Sequence, residues 1–147
     1  MTASKQEICD SIKNNLKDKV VHIVCERNLC SYMNNIKWDE FITAVKNNMP
    51  FPPPFCIKFI TENTVIQGGI EKGNVSYWGD WSEEGIVSKE FYFNIEWIKV
   101  RPCYLKYRGK LVEPELVDES KKFEEILQKT NIPYEEEKGL YCIYGYR

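Results

Sequence analysis

Apolar positions along this chain follow helical spacing at the start, alternate through the middle, and return to helical spacing before the end. Ile8, Ile12 and Leu16 recur at four-residue steps, which lines up one face of a helix. Ser4 and Glu7 have capping-box spacing, so a helix is predicted over roughly residues 4–17. The run Val20–Cys25 fits either a short strand or more helix, because a short apolar run carries no period of its own. Asn34 or Asn35 can cap a second helix, in which Trp38, Phe41, Ile42 and Val45 form an i, i+3, i+4, i+7 stripe. That helix must stop near Asn48, since Pro50 and then Pro52-Pro53-Pro54 follow. The proline segment should be an extended strap that lays Phe51 and Phe55 on the core.

From Cys56 onward the pattern predicts strands separated by turn residues. The candidates are Cys56–Ile60, Thr64–Gln67, Val75–Trp81, Phe91–Val100 and Lys110–Val117. Breaks are expected at Gly68-Gly69, Gly73-Asn74 and Arg108-Gly109. In the fourth strand Glu96 falls between Ile95 and Trp97, so it should point outward or pair with a base. A third helix is predicted over Ser120–Lys129, with Phe123, Ile126 and Leu127 on its apolar face. Asn131, Ile132 and Pro133 supply a left-handed C′ residue, a hydrophobic contact and a block to continuation. Tyr134–Glu137, a Lys138-Gly139 turn and Leu140–Tyr146 then predict a terminal hairpin. The expected architecture is a single α+β domain over residues 1–147. Its antiparallel or mixed sheet of about five to seven strands is flanked by about three helices.

Composition narrows the class. With 43% apolar and 14% aromatic residues the chain has enough hydrophobic mass for a core, which excludes a disordered segment. The first residues carry no apolar signal-peptide region, and no apolar run approaches the ~20 residues of a membrane span. A cytoplasmic location without membrane association is therefore expected. In that compartment the six cysteines read as free, small buried hydrophobes.

Net charge is only −2, but it is segregated. Residues 61–97 hold seven acids against two bases, residues 98–110 five bases and no acid, and residues 111–138 nine acids against four bases. Such blocks create a local field that steers charged partners.

Candidate chemistry is sparse. His22 is the one histidine, and no neighbouring residue supplies an activated thiolate for a Cys–His dyad. His22 with Cys25 and Cys30 is too loose for a tetrahedral zinc site, so neither metal nor cofactor is expected. No glycine loop of the phosphate-cradling type is present. The most unusual string is Tyr77-Trp78-Gly79-Asp80-Trp81. Two tryptophans three apart cannot share one face of a regular strand, so Gly79 marks a bulge or turn. An exposed indole beside Asp80, Glu83 and Glu84 would make an aromatic-acidic partner surface, so Trp78, Asp80, Trp81, Glu83 and Glu84 are the candidate partner-binding residues. The alternative is that both rings are core. Lys99, Arg101, Lys106, Arg108 and Lys110, interleaved with Tyr104 and Tyr107, are the candidates for a nucleic-acid surface. A sequence pI near 5.6 opposes that alternative. A hydrolase built on scattered carboxylates is a third class.

Asn34-Asn35-Ile36-Lys37-Trp38-Asp39-Glu40-Phe41, the Trp-Gly-Asp-Trp string and Asn94-Ile95-Glu96-Trp97 resemble a family of small bacterial proteins without assigned activity. The resemblance spans about residues 33–104 and implies no catalytic residue. By analogy with acidic α+β proteins of similar build, it implies an immunity protein. The expectation is a non-enzymatic protein-binding domain whose partner is a protein, such as a basic toxin domain.

Overall fold

A computed structural model describes residues 4–67, 70 and 78–147 of the chain. The element order in these residues is helix α1 (Lys5–Glu26), helix α2 (Asn35–Asn48), strands β1 (Phe55–Phe59) and β2 (Ile66–Gln67), and a 3-10 segment over Lys89–Asn94. Strands β3 (Ile95–Val100), β4 (Cys103–Lys106) and β5 (Glu115–Asp118) follow, then helix α3 (Ser120–Lys129) and strands β6 (Glu135–Glu137) and β7 (Leu140–Tyr144). The α+β class and the antiparallel alternative are both found. One sheet has the order β2-β1-β3-β7-β6 and a separate ribbon pairs β4 with β5, every pairing being antiparallel.

Local chemistry accounts for the helix ends. Ser4 and Glu7 make the reciprocal capping box of α1. No Gly or Pro interrupts the following run, so Val20–Cys25 continues the helix rather than forming a strand. It ends where Asn28 turns left-handed at φ 53°. There the Leu29 N–H donates to the Val24 carbonyl at 3.0 Å and the Asn28 N–H to Cys25 at 3.2 Å, the two bonds of a Schellman motif. Asn34 Oδ1 accepts the Lys37 N–H at 2.8 Å to start α2. The end of α3 repeats the Schellman pattern with Asn131 at φ 54° and Ile132 N–H on the Leu127 carbonyl at 3.0 Å.

The core lies between one face of the sheet and the pair α2 and α3. Ile57, Ile98, Ile143, Val100 and Tyr141 meet Trp38, Phe41, Phe123 and Leu127 there. Phe41 and Phe123 rings lie 6.1 Å apart, edge to face, and Phe123 stands the same way on Tyr141 at 5.2 Å. The strap contributes Phe51 and Phe55 to this core as expected.

Several strand expectations change. Phe91–Asn94 is 3-10 rather than strand, because Tyr92 and Asn94 turn inward while the Asn94 carbonyl and side chain hydrogen-bond Ile60 and Thr61. The Lys110–Val117 strand shortens to β5 and pairs with β4. Trp78–Trp81 is irregular, while residues 75–77 and the Gly68-Gly69 and Gly73-Asn74 breaks lie outside the described residues. The cysteines split: Cys56, Cys103 and Cys142 are buried, but Cys9, Cys25 and Cys30 are exposed, and none of the six is in a disulfide. Cys9 and Cys25 lie on α1, which buries only Val20, and Cys30 follows its exit. No described helix is long and apolar enough to cross a membrane.

Candidate functional site

The Trp-Gly-Asp-Trp string sends its two indoles to opposite fates. Trp81 is 4% exposed and sits against Phe55 and Phe41, ring centroids 4.9 and 5.7 Å away. Its indole N–H donates to the Pro53 carbonyl at 2.8 Å. Gly79 lets the chain reach that position: its N–H donates to Pro52 O at 3.1 Å. A Cβ there would fall 2.3 Å from the Pro53 carbonyl oxygen, so no other residue fits without moving the strap. Trp81 therefore joins the core rather than standing out as an exposed anchor, and what remains accessible of it lines the groove beside the strap.

Trp78 remains outside, 64% exposed. Beside it Asp80 caps its own turn, accepting the Ser82 N–H at 3.0 Å and the Ser82 hydroxyl. Those hydrogen bonds, hydroxyl first, hold the Asp80 carboxyl below its ordinary range, aided by the charge of Lys46. Gly85 closes the same turn over Asp80, where a Cβ would sit 2.1 Å from the Asp80 carbonyl oxygen. Glu83 and Glu84 project from the turn, exposed. Between this turn and the strap runs an open groove of about 400 Å³, lined by Met49, Phe51, Pro52 and Trp81 and by Lys46 and Asp80. The structure thus brings Trp78, Asp80, Glu83 and Glu84 onto one rigidly founded loop, with an apolar groove alongside.

The basic segment is divided between β3 and the β4–β5 ribbon. Arg101 donates to the carbonyls of Ile70 and Lys138 at 2.7 and 2.6 Å, and Arg108 donates twice to the Glu113 carbonyl. Both guanidinium groups thus serve the protein's own backbone. Lys99 lies with its ammonium 4.6 Å from the Trp97 ring centre, on β3 and apart from the β4–β5 ribbon. Lys106 and Lys110 are exposed.

Two further clusters are assembled from residues far apart in the chain. Glu96 is buried and pairs with Arg27, at the end of α1, and with Lys58 on β1 at 3.0 Å. Burial pushes its carboxyl up, but the hydrogen bonds and charges of Arg27 and Lys58 outweigh that and hold it below its ordinary range. The alternative in which Glu96 pairs with a base is the one realised. The second cluster is a recess lined by Tyr32, Pro133, Tyr134, Glu135, Tyr144 and Arg147. No local signal marks either, because the partners come together only through the sheet.

His22 is exposed on α1, 3.4 Å from Glu26. Among the described residues no group of three or more His, Cys, Asp or Glu side chains is placed to hold a metal ion. Burial pushes the Cys56 and Cys142 thiols up, the opposite of an activated nucleophile.

A family model described as a family of unknown function, DUF6678, matches residues 20–147. No curated protein and no solved structure matches the chain.

Proposed function

Because the chain belongs to DUF6678, a family of unknown function, its function has to be argued from its own surface, and we propose that it is a protein-binding domain. The observation that carries this reading is a loop that exposes Trp78, Asp80, Glu83 and Glu84, with Asp80 on the edge of an apolar groove. An aromatic anchor next to a pocket supplies the desolvated centre of an interface. The surrounding carboxylates steer a basic partner toward it and speed association. Trp81 and the strap hold the loop in place beforehand, so little ordering is left to the binding step.

The finer form of the reading is that the partner is a basic toxin domain and that binding here neutralises it. Its support is the acidity of this surface and the analogy with immunity proteins, and the working compartment would be the cytoplasm. Tagged wild-type chain, Trp78→Ala and Asp80→Lys/Glu83→Lys should be compared for capture of proteins from the source cell's extract. A basic protein retained by wild type and lost in both variants, at unchanged melting temperature, supports the surface. Equal capture by all three defeats it. Toxin neutralisation is tested by co-expressing the captured protein with each variant and scoring growth.

A further inference from the structure

Beside β7, a recess of about 90 Å³ opens between Tyr32, Tyr134 and Tyr144, with Glu135 on its wall. Its members come from three separate segments. Tyr32 is fixed because its N–H donates to the Gly145 carbonyl at 2.8 Å beside a bridge between Ser31 and Tyr146. Pro133 and Tyr134 follow the end of α3, and the Tyr134 ring rests on buried Tyr141 at 5.6 Å. Tyr144 lies on β7, its hydroxyl donating to Glu135 Oε2 at 3.4 Å. Its phenol is pushed up to about 12, first by its hydrogen bond with Cys142 and then by burial.

The recess already contains a cation. The Arg147 guanidinium carbon stands 4.9 Å from the Tyr144 ring centre, and its Nη1 pairs with Glu135 Oε1. A tyrosine face plus a carboxylate is the arrangement that holds a guanidinium by cation–π and charge-assisted hydrogen bonds together. Arg147 is about half exposed and forms one wall of the recess, so it can swing out into solvent. A cavity volume of about 90 Å³ with Arg147 in place is far below that of a drug-sized pocket, which suits a single planar head group.

We propose that the recess between Tyr32, Tyr134, Tyr144 and Glu135 is a binding site for a guanidinium group, with Arg147 as its displaceable internal occupant. The ligand class is an arginine side chain presented by a peptide or protein, or a small free guanidine. The proposal does not depend on the Trp78 surface.

While Arg147 occupies the recess, external affinity is reduced by the fraction of time the recess is open. Nα-acetyl-arginine amide should therefore bind Arg147→Ala and Arg147→Gln at least about tenfold more tightly than wild type. The binding is read as saturable shifts of the Tyr32, Tyr134 and Tyr144 ring signals in NMR titrations. Adding Glu135→Gln to Arg147→Gln should abolish those shifts, and Nα-acetyl-lysine amide should bind more weakly than the arginine probe. An arginine-containing peptide that binds tighter than the amide identifies a polypeptide ligand, and equal affinity identifies a free guanidine. The two Arg147 variants check each other for folding through the untouched Trp38 and Ile143 signals. If neither folded variant shows saturable shifts, or if Nα-acetyl-alanine amide produces the same ones, the recess is not a guanidinium site.

Discussion

The helices α1 and α2 both begin under a side-chain cap, yet α1 buries one residue of 22 and α2 buries four of 14. In α2 the stripe is Trp38, Phe41, Ile42 and Val45, bulky side chains that fill the space between the sheet and α3. In α1 the stripe begins with Ile8 and Ile12, which stay 49% and 57% exposed, and contact with the body begins further along the helix. Lys17 lies over the Phe93 ring at 5.5 Å, Val20 is buried, and Arg27 pairs with Glu96. The family match begins at Val20, the buried residue of α1. Apolar periodicity therefore identifies a helix but not what covers it. The bulk of the stripe and the anchors at the helix ends decide whether it becomes core.

The largest test of this contrast is Phe41→Ala. Phe41 is fully buried among three aromatic rings, so its loss should cost about 3–5 kcal/mol in urea unfolding. A cost below about 1 kcal/mol would remove the distinction between the helices.

The next test concerns the tie that holds α1. Glu96→Ala leaves the Lys58 ammonium, largely buried, without its carboxylate, and should cost about 1–3 kcal/mol. Arg27, nearly half exposed, regains water and adds little. The pH dependence follows from the sign of the shift. The folded carboxyl of Glu96 is held below its ordinary range, so its ion pairs stabilise the protein above the unfolded-state value. That contribution is lost as pH falls toward the folded one. Glu96→Gln should accordingly lose less stability than wild type in urea midpoints taken between about pH 7 and about pH 3. Parallel curves would assign the acid loss to other carboxylates.

The smallest effect belongs to Ile8 and Ile12. Ile8→Ser and Ile12→Ser should each change stability by no more than about 0.5 kcal/mol. Hydrogen exchange should find amides 8–16 far less protected than those of α2, because a helix end without packed neighbours opens locally. Equal protection would mean that something covers the stripe.

What could be read from the sequence was what neighbours in the chain decide. The cap at Asn34, the stop at the prolines and the Asn131-Ile132 ending of α3 all depend on residues within a few positions. So does the Lys138-Gly139 hairpin turn, whose φ values of 52° and 80° match the twist of its strands. What stayed hidden depends on distant partners. Phe91 and Phe93 alternate like a strand, but Thr61, 33 residues before Asn94, holds that segment in its 3-10 turn. Glu96 waits on Arg27, 69 residues earlier, and Tyr32 reaches its recess only through Gly145. For Trp78 and Trp81 the deciding fact was the Pro53 carbonyl, to which one indole is bonded and the other is not.

That division of the tryptophans makes the chain its own optical probe. Of the four indoles, Trp38 and Trp81 are shielded, Trp97 is half-buried under Lys99, and Trp78 stands in water. A dissolved quencher such as acrylamide should therefore extinguish the red-emitting Trp78 first and leave the blue-emitting pair almost untouched. Anything that settles on the Trp78 loop must shift that emission to the blue and shield it from the quencher, so occupancy can be followed by light without a label.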